Sequence, residues 1–122
     1  MTLAVPDIAT VAAVLAPDAS TAQPARSVNF IRIKPGRFEE FIALQSAHLE
    51  RIRGTVPGVV GTRMFIAPER SAVILVSAFE TAEHAQRFRQ DPRFVEHLGR
   101  AGSLIESTEA MPVELAYEIG VI

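Results

Sequence analysis

Apolar and polar residues alternate in "VNFIRIKPG" (28–36). Alternation puts Val28, Phe30, Arg32 and Lys34 on one face of a strand and Asn29, Ile31 and Ile33 on the other. "KPGR" then turns the chain. Phe38, Phe41, Ile42, Gln45, Leu49 and Ile52 recur at helical spacing, which predicts an amphipathic helix from about 37 to 53, ended by "GTVPG" (54–58). Residues 59–67 and 72–80 are two β-rich runs, and "APERS" (67–71) between them predicts a tight hairpin. Thr81 can cap the next helix, with Glu83 in its first turn; that helix ends near "QDP" (90–92). Asp91 as N-cap and Pro92 at the first helical position start another, with Phe94, Leu98, Ala101 and Ile105 as its apolar stripe. The clean alternation of "VELAYEI" (113–119) predicts the last strand.

The order is β-α-β-β-α-(α)-β. It reads as an α+β fold of the ferredoxin-like split βαβ type, an antiparallel four-stranded sheet with helices on one face. The run from Val73 to Val76 is apolar on both faces. A sheet with two apolar faces and helices on only one needs a second cover, and a symmetric partner is the simplest, so a homodimer is expected. Residues 1–27 stand apart from a domain at 28–122. Ile8, Val11, Ala12 and Leu15 suggest a short helix that docks on the body or on a partner subunit, and "PDASTAQPAR" (17–26) reads as a connector.

Composition narrows the partners. The 122 residues suit one domain, and the net charge of −2 gives no electrostatic reason to expect nucleic acid or an anionic membrane surface. No apolar run is long enough to span a bilayer, and the stretch 8–16 lacks the basic flank of a signal peptide. The absence of cysteine removes disulfides, thiolate metal sites and a Cys nucleophile, and suits the cytoplasm.

Asn29 is the odd residue on the greasier face of its strand. A buried amide left unsatisfied costs about 1–3 kcal/mol, so either a neighbour or a ligand must serve it. Of the three histidines, His97 lies at the edge of the inward face of its helix, His48 flanks the stripe of the first helix, and His84 sits in a first turn. No HxH, HxxxH or HExxH spacing occurs, so no protein-held metal is expected, and no GxSxG marks a serine nucleophile. Arg63, inside a strand, can pair with a carboxylate, face an interface or meet an anionic ligand. Asn29, Phe88 and His97 together could wall a pocket between sheet and helices. With Ile31, Ile33, Leu75, Phe79 and Phe94 around them, it would suit a flat apolar aromatic ligand. The alternative is that the three simply pack and bond one another.

Residues 27–120 resemble the antibiotic biosynthesis monooxygenase family, through "IRIKPGRFEEF", "VPGVVGTRMF", "VSAFETAEHAQRF" with "DPRFVEHL", and the terminal strand. The resemblance implies a dimeric α+β barrel with a sheet-and-helix pocket. One branch oxidises phenolic polycyclic compounds or quinols with O2, using no metal or flavin. Another degrades haem with a first-strand asparagine, a tryptophan and a histidine nine residues later. Asn29 and His97 match two of these places; Phe88 stands at the tryptophan, and the chain has no Trp. "FET" (79–81) stands where the phenol-oxidising branch often has a "WES"-like segment. The expectation is a cofactor-independent monooxygenase with His97 as base, Asn29 as oxyanion donor and Phe88 with Phe79 for stacking. Tyr117 and Arg63 are further substrate contacts. Haem binding through His97, and a non-catalytic binding protein, are the rivals.

Overall fold

A computed structural model describes residues 23–122; the extension helix and most of the connector expected before the domain lie outside them. The chain forms β1 (Ala25–Ile33), α1 (Phe38–Ile52), β2 (Val59–Ile66), β3 (Ala72–Phe79), α2 (Ala82–Arg89), α3 (Pro92–Ala101) and β4 (Ile105–Val113). The four strands make one antiparallel sheet in the order β2-β3-β1-β4. This is the expected ferredoxin-like α+β fold, with helices on one face.

The starts of α2 and α3 follow their sequence signals. Thr81 Oγ1 accepts from the backbone N–H of His84, and Asp91 Oδ1 from that of Arg93 at 2.8 Å. Each bond satisfies an N–H with no partner inside the helix.

Pairing fixes which residues share a face. Asn29 lies opposite Leu75, Ile31 opposite Val73, and Ser27 opposite Ser77. On the other flanks, Met64 meets Leu75, Thr62 meets Ser77, and Ala110 meets Asn29. Ile31, Ile33 and Val73 pack with Phe38, Phe41, Ala101 and Leu104 into the core, so this is the helix-facing side. Val28, Phe30, Ile74, Val76, Phe65 and Met111 fall on the opposite, outer face.

The last strand differs from the expectation. It is Ile105–Val113, and residues 114–122 form no ladder. Ile105, expected on the helical stripe, opens the strand instead, after a single 3-10 turn at Gly102–Leu104. The reason is register. Val113 already lies opposite Arg26, one residue from the start of β1, and the other flank of β1 is filled by β3. The alternating segment beyond Val113 has nothing left to pair with. The true strand, "IESTEAMPV", hides its periodicity because it is a largely exposed edge strand.

Gly58 shows how the turn after α1 is fitted. Its φ is +79°, its carbonyl accepts from Glu80 N–H at 2.7 Å, and a Cβ there would collide with the His84 ring. His84 in turn is tied through Nδ1 to Thr81 Oγ1 at 2.7 Å. Gly58→Ala is therefore expected to destabilise the fold by about 1–3 kcal/mol, read by urea unfolding. Gly36→Ala, with φ +78° and open space around it, should cost less.

Candidate active site

Beyond the core, the helix layer leaves part of the sheet thinly covered. Ile31 and Val73 are 7% and 0% exposed, but Asn29 and Leu75, the next residues on the same face, are only half-buried, as are Ser77 and Met64. Three elements reach this level together. Asn29 is two residues from Ile31 along β1, a step of roughly 6.6 Å. Gln45 is four residues beyond Phe41 on α1, and His97 four before Ala101 on α3, steps of roughly 6 Å. Ile31, Phe41 and Ala101 are all core residues. Asn29, Gln45 and His97 therefore occupy the layer next to the core, Asn29 on the sheet and the other two on the helices.

An aromatic series closes the far end of this layer. Phe79 on β3 meets Phe88 on α2 with ring centres 5.5 Å apart, Phe88 meets Phe94 on α3 at 4.7 Å, and Phe94 meets His48 at 6.3 Å. His48 stacks on His97, 4.0 Å apart and within 4° of parallel. The His97 ring donates from Nε2 to Gln45 Oε1 at 2.8 Å. Asp91 and Arg93 fix the start of α3. Arg93 binds Asp91 through two guanidinium nitrogens and reaches Thr55 Oγ1 at 2.6 Å, pinning the helix to the turn after α1. Those bonds hold the Asp91 carboxyl down at about 2.

The two imidazoles are neutral near pH 7. Burial first, then the neighbouring His48 and Arg100, push His97 down to about 4. His48 is also lowered, by burial and then by Arg51 and Arg93, against a weaker pull from Asp91. A small cavity of about 70 Å³ between α1 and α3, lined in part by His48, His97, Arg51 and Glu96, has room for a water or two.

Asn29 does not bond His97. Its Oδ1 accepts from Thr108 Oγ1 of β4 at 2.7 Å. That bond fixes the amide and leaves Nδ2 as a two-proton donor with no protein acceptor among the described residues. Phe79 and Phe88 join the site as a wall. Arg63 lies opposite Val76, on the outer face, and donates to the backbone carbonyl of Ile122. Tyr117 lies beyond β4, 60% exposed. These two are not brought to Asn29 and His97. Among the described residues no three His, Asp or Glu side chains gather to hold a metal, and no helix is long and apolar enough to cross a membrane.

Gln45, His48 and Thr108 were not singled out from the sequence as site residues. A signal existed for two of them. Gln45 interrupts an apolar stripe, and His48 follows at i+3 on the same helix face. Thr108 had none, because its meeting with Asn29 depends on the register of β4.

The family model for antibiotic biosynthesis monooxygenase matches residues 24–100. No curated protein matches the chain. Among solved structures, an antibiotic biosynthesis monooxygenase, so assigned, from Nitrosomonas europaea is 14% identical with a TM-score of 0.70, covering 82% of this chain and 97% of its own. One from Bacteroides thetaiotaomicron is 18% identical with a TM-score of 0.69, covering 76% and 90%. SnoaB, a cofactor-independent oxygenase from Streptomyces nogalater, is 16% identical with a TM-score of 0.68, covering 77% and 94%. Identities this low speak for the fold, whereas the family model spans most of the domain. The chain belongs to the antibiotic biosynthesis monooxygenase family.

Proposed function

We propose that this protein oxidises a planar phenolic or quinol-like substrate with O2, without metal or flavin, and works as a homodimer in the cytoplasm. The observation that carries this reading is the amide of Asn29. It is held by Thr108, its N–H groups without an acceptor among the described residues, on a half-covered apolar floor that the rings of Phe79, Phe88 and Phe94 close at its far end. A flat aromatic ligand lies against that wall, and the amide donates to the oxygen on which negative charge develops.

The chemistry needs little from the protein. A methylene flanked by two aryl rings loses a proton, and the resulting carbanion bonds O2. The peroxide, once protonated, loses water and leaves a carbonyl where the methylene stood. One oxygen atom ends in the product and the other in water. His97 is neutral at pH 7 with its Nε2–H given to Gln45, and it accepts the first proton at Nδ1. Its low resting proton affinity rises when the anionic substrate sits beside it, because an opposite charge favours the imidazolium.

Haem fits these residues poorly. Nε2 of His97 is spent on Gln45, the ring is 8% exposed and stacked on His48, and Phe88 is packed between Phe79 and Phe94.

O2 uptake with anthrone, unchanged by EDTA, is the expected activity. Asn29→Leu should lower kcat about 100-fold, the effect of losing one oxyanion donor, with the melting temperature nearly unchanged. Full activity in that variant would remove Asn29 from the mechanism. Absence of O2 uptake in the unmodified protein would leave a non-catalytic binding protein.

A further inference from the structure

The sheet floor carries a second polar group besides Asn29. Thr62 on β2 and Ser77 on β3 are directly opposed on the helix-facing side, their hydroxyl oxygens 3.0 Å apart. Thr62 Oγ1 also donates to the backbone carbonyl of Val76, at 3.2 Å. A threonine hydroxyl has one hydrogen, and this bond uses it. The hydrogen between the two hydroxyls must then come from Ser77. Ser77 is left with lone pairs only, and it is half-buried on the same uncovered floor as Asn29.

The floor is therefore polarised. Asn29 offers donors, and Ser77 offers an acceptor. Asn29 lies opposite Leu75, so Ser77 is its diagonal neighbour across the β1–β3 pair, roughly 7–8 Å away. We propose that the Thr62–Ser77 pair is a specificity element that accepts a hydrogen bond from a second, hydroxyl oxygen of the ligand, while Asn29 holds the first. The inference rests on the floor being the ligand site and assigns to that site a pair of ligand oxygens whose distal member carries a hydrogen. A methyl ether at the distal position offers Ser77 no hydrogen, and two sets of lone pairs would face each other.

The test is anaerobic calorimetry with two probes, 1,4-dihydroxynaphthalene and its monomethyl ether, 4-methoxy-1-naphthol. The diol should bind about tenfold more tightly, the worth of one hydrogen bond. Ser77→Ala should close the gap by weakening the diol. Thr62→Val frees the Ser77 hydroxyl to donate, so the gap should close from the other side, by strengthening the ether. Unfolding curves of both variants provide the control for folding. No gap in the unmodified protein, a gap that survives both substitutions, or no binding of either probe would overturn the proposal. O2 uptake is read separately. A tenfold gap in a protein that consumes no O2 keeps the specificity element and removes the oxygenase reading.

Discussion

Lowering the pH from 7 to 4 is expected to cost the folded protein on the order of 2–3 kcal/mol through His97 alone. The folded imidazole titrates at about 4, and an unfolded one at about 6.5. Between those values the unfolded chain binds more protons. Stability is thus intact above about pH 6.5, falls as the pH drops, and levels off below about 4. The lowered His48 adds to the loss in the same direction. Asp91 and Glu96, both held low by arginines, lose their contribution at more acid pH, so their window is separate. His97→Leu alone is a poor probe, because it strands the Gln45 amide, 8% exposed, at a further cost of about 1–3 kcal/mol. The paired replacement Gln45→Leu with His97→Leu removes both polar groups. Urea unfolding at pH 7, 5.5 and 4.5 should show most of the acid sensitivity gone in the double variant. An unchanged pH dependence would mean that the imidazole is not the group responsible.

Ile74→Lys is expected to convert a dimer into a folded monomer. Val28, Phe30, Ile74 and Val76 are half-buried on the outer face in a single chain, while Phe65 and Met111 are 47% and 50% exposed. Arg26, on that same face, has a buried guanidinium nitrogen with no acceptor among the described residues. A second copy packed there would cover the apolar centre. A lysine in the middle would have to leave water without a partner, weakening association by about a hundredfold or more. Light scattering at micromolar concentration should give a dimer for the unmodified protein and a monomer for the variant, with unfolding midpoints showing that the variant still folds. A compact monomer in the unmodified protein would remove the interface.

The sequence carried the fold further than the site. Helix α1 was legible because its apolar spacing survives over four turns, and α2 and α3 because Thr81, Asp91 and Pro92 are start signals that act locally. Asn29 was legible as an amide among isoleucines, and its partner was not. Which residue meets Asn29 depends on where β4 lies along β1, and that is settled by the length of β1 and by competition from β3. For the same reason the strand was expected at 113–119, where the alternation is strong, instead of at 105–113, where pairing is available. The facing of Arg63, for which an interface was one of the expected roles, was not legible either. A strand residue reaches either the helices or the outer face, and only the register with Val76 decides.

Two irregularities in the sheet govern how the protein can associate with itself. Among the described residues β2 and β4 are the edge strands, and β2 carries exposed Val59, Val60, Phe65 and Ile66, the composition of a template for endless strand addition. Its register slips between Val59 and Gly61, which bends the edge out of line. At the other edge Pro112 contributes no N–H. Growth in the plane of the sheet is interrupted on both sides, while no described residue covers the outer face. Strand addition at either edge is thereby hindered, so the expected closed pair, formed through the outer face, would let the chain keep a greasy surface without the hazard of polymerising through it.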